Sequence, residues 1–232
     1  MVDTLLKKEE KMLKISIVYD NTIYQKNLVA DWGFAAYIET DDITILFDSG
    51  SDGHILLENM GKMGLSPKKV DTVFISHHHF DHTGGLAAFL RKNPDVDVYL
   101  PESLRGVKRA KNVIHVDKPI AITNTIFSTG ELMKIEQSLI IKTPQGLVLI
   151  VGCSHPGLEN IIKVAAKYGT IYMVLGGFHG FEKFDVLKDV EYVCPTHCTK
   201  HIKRIENLYP EKYILGGAGR KIEIPINETE QE

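Results

Sequence analysis

Much that would assign this chain of 232 residues to an address or a macromolecular partner is missing from it. No apolar run approaches the ~20 residues that cross a bilayer, and the opening MVDTLLKKEEKML has no apolar leader segment. The expectation is a cytoplasmic protein with no membrane partner. An excess of one charge is missing too: 27 basic residues stand against 30 acidic ones, for a net charge of −3. No overall field then draws the chain to nucleic acid, and no such partner is expected. Cysteine is scarce and odd in number, with only Cys153, Cys194 and Cys198. That excludes a disulfide framework and suits a reducing compartment. Internal repeats and low-complexity segments are also lacking.

What is present reads as globular: 44% apolar and 25% charged residues. Residues 1–11 are charged and read as an N-terminal extension, and 12–232 as a single α/β domain. Strand-like alternation begins at LKISIVYD. GFAAYIET and ITILFDSG follow around a DD turn, and GHILLENMGKMG has helical spacing. DTVFIS is a short apolar strand that runs into SHHHFDHTGG, after which GGLAAFLRKNP reads as an amphipathic helix. ESLRGVKRAK has helical spacing as well. Further strands are expected near 113–116, 120–127 and 137–142, and LVLIVG, TIYMVLGG and EYVCPT each end in a loop bearing histidine. Buried strands thus deliver histidines into the loops at their C-terminal ends four times: His77 to His82, His155, His179 and His197. Loops at that end of a sheet converge on one crevice.

His77, His79, Asp81 and His82 form H-x-H-x-D-H. In an extended loop alternate side chains share a face, so His77 and His79 can grip one ion while Asp81 and His82 hold another. Each half lacks a third donor. The expected sets are His77, His79 and His155 for one ion, and Asp81, His82 and His197 for the other, with a single-ion site as the alternative. Imidazole with carboxylate suits zinc, with manganese or iron as alternatives, and an ion so held can activate water at neutral pH. Asp81 and His179 are the candidates for moving protons.

SHHHFDHTGG, preceded by FDSG and followed by GCSHPG and PTHC, resembles the metallo-β-lactamase superfamily over most of residues 13–220. The resemblance implies a four-layer αββα sandwich with metals at one edge, and it makes Asp48 the aspartate that supports the site from behind. TGEL, GCSHPG, GGFHG and PTHCT in this order are similar to a branch of metal-dependent hydrolases. Some of that branch are 7,8-dihydropterin-6-methyl-4-(β-D-ribofuranosyl)-aminobenzene-5′-phosphate synthases. Two departures stand out. Where many members have GD after the strand matching LVLIV, with the aspartate bridging both metals, this chain has GC. Cys153 therefore joins the metal candidates. The histidine usual some twenty residues earlier is also missing, and Glu131 lies in its neighbourhood.

Other polar residues have plainer readings. His78 should point away from the pair that flanks it, and His54 and His115 read as surface or packing residues, while His201 is undecided. Cys194 and Cys198 lack the second pair of a zinc knuckle and read as small buried thiols. Arg105, Lys108, Arg109 and Lys111 read as a solvated face that could also meet a substrate phosphate. Three functions follow. One is hydrolysis of an ester, lactone or phosphoester; another is condensation of a dihydropterin methyl pyrophosphate with a ribofuranosylaminobenzene phosphate; the third is a metal or ligand sensor without turnover. Each takes a small-molecule partner, phosphorylated or pterin-like for the second.

Overall fold

The computed structural model describes residues 11–226, so the expectation of an N-terminal extension falls outside them but for Lys11. In chain order the elements are β1 (Met12–Tyr19), β2 (Ala35–Glu39), β3 (Thr44–Phe47), α1 (Gly53–Lys62), β4 (Thr72–Phe74), α2 (Phe80–Thr83), α3 (Leu86–Lys92), β5 (Asp97–Pro101) and β6 (Asn112–Val116). The second half adds β7 (Ile120–Ala121), β8 (Ile126–Ser128), β9 (Leu139–Thr143), β10 (Gly146–Val151), α4 (Leu158–Ala165), β11 (Ile171–Gly177), β12 (Tyr192–Thr196), α5 (Ile202–Leu208) and β13 (Lys221–Pro225). Two mixed sheets result, in the orders β13-β1-β2-β3-β4-β5-β6 and β12-β11-β10-β9-β8-β7.

Period-two alternation sets the layers. In β10, Val148 and Ile150 face the other sheet, where they meet Ile15, Phe47 and Phe74. Leu147, Leu149 and Val151 face the opposite way, onto Leu158, Ile161 and Ala165 of α4. The first sheet does the same on its outer face, where Val73, Val98 and Leu100 receive Leu56 and Met60 of α1 and Phe89 and Leu90 of α3. The architecture is the αββα sandwich that the resemblance implied. Fully burying one such side chain contributes roughly 1.5–3 kcal/mol, so three apolar layers hold the sheets firmly enough to fix loops at their edge.

β3 to β6 run parallel, as do β10 to β12, and each parallel strand hands the chain to a loop at one edge of the sandwich. One expectation is corrected. ESLRGVKRAK forms no helix: residues 102–111 are a loop, in which Gly106 and Arg109 take φ values of +89° and +66° that no helix accommodates. After β11 the chain makes only a 3₁₀ stretch, Phe184–Asp189, before β12. Among the described residues no helix is long and apolar enough to cross a membrane.

Candidate metal centre

β4 ends at Phe74, and Ser76 and His77 follow it into the interior, fully buried. His79 is still extended at φ −62°, ψ 146°, and the chain then turns into α2, whose first turn presents Asp81 and His82. The second pair is therefore set by a helical turn and not by the extended alternation expected for it. Three contacts pin the turn: Phe34 N–H donates to the Asp81 carbonyl, and Ser49 donates through both its N–H and its hydroxyl to that of His82. The two glycines that follow make room for this. A Cβ on Gly84 would lie 2.1 Å from the Ser51 carbonyl oxygen, and one on Gly85 2.1 Å from that of Ser49.

The structure gathers the histidines and their neighbours into two adjoining donor sets. His77, His79 and His155 form one, and Asp81, His82, Cys153 and His197 the other, the ligand atoms of each lying within 4.8 Å of one another. In the first, His79 Nδ1 faces His77 Nε2 at 3.1 Å and His155 Nε2 at 3.2 Å. One N–H serves only one of these contacts, so lone pairs meet at the remaining one, an arrangement that a cation relieves. In the second, His82 Nε2 lies 3.2 Å from both Cys153 Sγ and His197 Nε2, and Asp81 Oδ2 is 3.3 Å from His197 Nε2. The His77 and His82 rings, 4.1 Å apart at their centroids, join the sets. Three imidazoles in the first set, and imidazole, carboxylate and thiol in the second, fit a zinc-like divalent ion.

The rear nitrogens are anchored. His77 Nδ1 lies 2.9 Å from Ser76 Oγ, which donates to Asp48 Oδ2, and His82 Nδ1 meets the same Asp48 oxygen at 2.7 Å. Asp48 Oδ1 takes the Ser76 N–H, so one fully buried carboxylate orients a ring in each set. His197 Nδ1 meets Asn21 Oδ1 at 3.0 Å, while Asp20 receives the His197 N–H and the Thr196 hydroxyl. Held in this way, all three rings are anchored at Nδ1 and turn Nε2 inward.

Protonation states follow. Burial, with the other imidazoles nearby, keeps His77 far below the ordinary histidine range and holds His155 down to about 4. Burial also lowers His79 and His197. Burial would depress His82 too, but the Asp48 carboxylate outweighs it and the net direction is up. Asp81 loses ground to burial yet falls to about 2, because His197 donates to it and His82 and His197 surround it. Cys153 is pushed up by its hydrogen bond with Cys198 and by burial.

Four residues at this edge hold left-handed backbone without being glycine: Asp48 (φ +54°), Ser154 (+59°), His179 (+45°) and His197 (+52°). Such conformations cost of order 1–3 kcal/mol each and cluster where loops are held for function. His179 is exposed and belongs to neither set, but its ring stands 5.1 Å from that of His155. A cavity of about 430 Å³ opens here, between His155 and His179 and lined further by Phe181, Glu159 and Lys183.

Glu136 is the residue that sequence reasoning missed. Fully buried, it receives the N–H groups of Gly152, Cys153 and Ser154 on Oε1, each at 3.0 Å, and that of His155 on Oε2 at 2.9 Å. Burial raises its pKa, and its N–H donors and His82 pull against that. Glu131 lies away from the donor sets, bonded to Ser103. Asp20 and Asn21 were missed as well, since nothing near YDN signals a metal site. His78 is exposed, His54 and His115 sit on the surface, and His201 caps α5 beside Glu182. Cys194 is buried in the core between the sheets, and Cys198 Sγ lies 3.9 Å from the Cys153 carbonyl. C-x₃-C is therefore no zinc knuckle.

Comparison with known proteins gives the same direction. The family model described as Metallo-beta-lactamase superfamily matches residues 33–112. A 7,8-dihydropterin-6-methyl-4-(beta-D-ribofuranosyl)-aminobenzene-5′-phosphate synthase of Methanocaldococcus jannaschii is 28% identical over 247 residues, covering 78% of this chain and 83% of that protein. The solved structure of a metal-dependent hydrolase of the beta-lactamase superfamily superposes with a TM-score of 0.76 at 25% identity, over 92% of this chain and 99% of that one. The metallo-beta-lactamase fold protein YhfI from Bacillus subtilis, at 13% identity, shares the fold, with a TM-score of 0.67 over 92% of this chain and 100% of its own.

Proposed function

We propose that this chain is a member of the metallo-β-lactamase superfamily, which its family-model match over residues 33–112 and its fold support, and that it is a two-metal hydrolase of a small ester, lactone or phosphoester. The observation that carries the reading is the pair of adjoining donor sets, His77, His79 and His155 beside Asp81, His82, His197 and Cys153. Divalent ions held there, zinc foremost, supply Lewis acidity to a carbonyl or phosphoryl oxygen and a nucleophile from water at neutral pH.

The residues of the chain do the rest. Asp48 and Asn21 orient the rings of His77, His82 and His197, and Glu136 fixes the loop that bears Cys153 and His155. Asp81, ionised above pH of about 2, can accept a proton at its carboxylate. His179, at the rim beside His155 and bound to neither set, is placed to protonate a leaving group in the adjoining cavity. A second reading, transfer of a dihydropterin methyl group from pyrophosphate to an aminobenzene ribotide, is favoured by the likeness to the synthase of M. jannaschii. There divalent ions on the same donors would hold the pyrophosphate as it leaves.

The test is metal analysis of protein purified without chelator, followed by assay of the loaded protein on p-nitrophenyl esters, lactones, phosphodiesters and the pterin pyrophosphate pair. Two ions per chain are expected, with turnover lost in His79→Ala and Asp81→Ala. One ion or none, or near-wild-type turnover in either variant, would overturn the proposal.

A further inference from the structure

We infer that the cavity between α3 and the loop of residues 102–111 binds a small organic dianion, a phosphate monoester with an apolar body. The cavity measures about 490 Å³. It opens at the edge of the sandwich where β4 and β5 end, one strand along from the metal centre, and Thr83, next to His82, lines it. The inference stands whatever reaction the metal centre performs.

Its walls divide by chemistry. Leu86 and Leu90, both nearly buried, give an apolar floor on one side, and Leu104 and Val107 face them from the loop. Around this floor stand Arg91, Arg105, Lys108 and Arg109, and no carboxylate lines the cavity. In a chain with more acidic than basic residues, four cations and no anion around one cavity make a local field opposite to that of the molecule. Arg105 is taken: it folds back onto Glu102 and the Leu104 carbonyl. Arg91, Lys108 and Arg109 are exposed and have no carboxylate partner among the described residues. Three uncompensated cations, two of them guanidinium forks, match a doubly charged phosphate better than a single carboxylate. The apolar floor supplies what inorganic phosphate cannot use, so the ligand has a hydrophobic portion. Arg109 reaches its place through left-handed backbone at φ +66°, with Gly106 at +89° turning the loop toward α3. That is why this segment forms a wall of the cavity and not the helix its spacing suggested.

The probe is (1-naphthylmethyl)phosphonate, which cannot be hydrolysed at its P–C bond, titrated calorimetrically into the metal-loaded full chain. 1-Naphthaleneacetate and inorganic phosphate are run in parallel. Binding should weaken with added salt, and the dissociation constant should rise by roughly tenfold or more in Arg91→Ala/Arg109→Ala. Ala87→Glu, which sets a carboxylate into the cavity from an exposed position of α3, should weaken it likewise. In His79→Ala the constant should move by less than roughly twofold, since that residue lies outside the cavity. Unchanged affinity in the double variant would overturn the inference. So would equal affinity for the naphthaleneacetate or for bare phosphate, or loss of binding in His79→Ala, which would place the probe on the metals. A failed hydrolase assay with intact phosphonate binding would sink the proposed reaction and leave this site standing.

Discussion

Single side chains at this centre act through what stands behind them. Glu136 shows it best: one carboxylate receives four consecutive backbone N–H groups, from Gly152 to His155, and so shapes the loop that carries both Cys153 and His155. In Glu136→Gln the amide NH₂ would replace one acceptor and oppose an N–H. That should cost roughly 1–3 kcal/mol of stability and weaken metal binding at the His155 set. Urea denaturation and metal titration check it, and a variant matching the parent in both would remove Glu136 from the account. Cys153 stands 3.2 Å from His82 Nε2 in the slot where the family resemblance leads one to expect aspartate. If it ligates, cobalt-substituted protein should show a thiolate-to-cobalt charge-transfer band in the near ultraviolet that Cys153→Ser lacks. The same spectrum in both would mean the thiol stays protonated. The cysteine was legible, since GC in place of GD made Cys153 a metal candidate, but the role of Glu136 was not. Glu136 works on backbone atoms, which carry no residue signature, and Glu131, five positions earlier, was the more visible carboxylate.

Elements account for what was legible. The ends of β4, β10, β11 and β12 were plain because apolar runs stop abruptly at histidine, and the six nitrogen and oxygen donors expected from their order do lie in two groups. Less plain was α2, a single turn that carries Asp81 and His82 where an extended run was expected. Its reason lies in the glycines that follow. Gly85 has ordinary backbone angles, but its missing Cβ lets Ser49 reach the His82 carbonyl. Gly85→Ala should therefore displace the loop bearing Asp48, cost about 1–3 kcal/mol and lower the metal content. Denaturation and elemental analysis matching the parent would show that the loop yields freely. Residues 102–111 failed as a helix for a similar reason: spacing recorded their charges, not the two left-handed residues among them.

At the scale of the whole molecule, the layers were legible because β-strand alternation and helical spacing agree over most of the chain. Which groups titrate with the fold was not. Tyr19 and Tyr37 are buried, and burial pushes both up to about 12 from an ordinary 10. A raised pKa favours the protonated form in the folded state. The stability it contributes is complete below pH 10 and is lost as pH rises through 12. The urea midpoint should fall over this window, and less steeply in Tyr37→Phe; equal slopes would show that the tyrosines are not the cause.

The second donor set has one more consequence, in time and not in space. His197 at the end of β12 is held by Asp20 and Asn21 at the end of β1, across a separation of 176 residues for Asn21. A ribosome adding ~5–20 residues per second needs roughly 10–35 s between them. Over the last 115 residues of that stretch, from His82 to His197, SHHHFDH stands as an unfinished chelator, its partners not yet all made. Metal captured then would sit on a ligand set unlike the final one, so the moment of metal supply during synthesis bears on how much of the chain matures correctly.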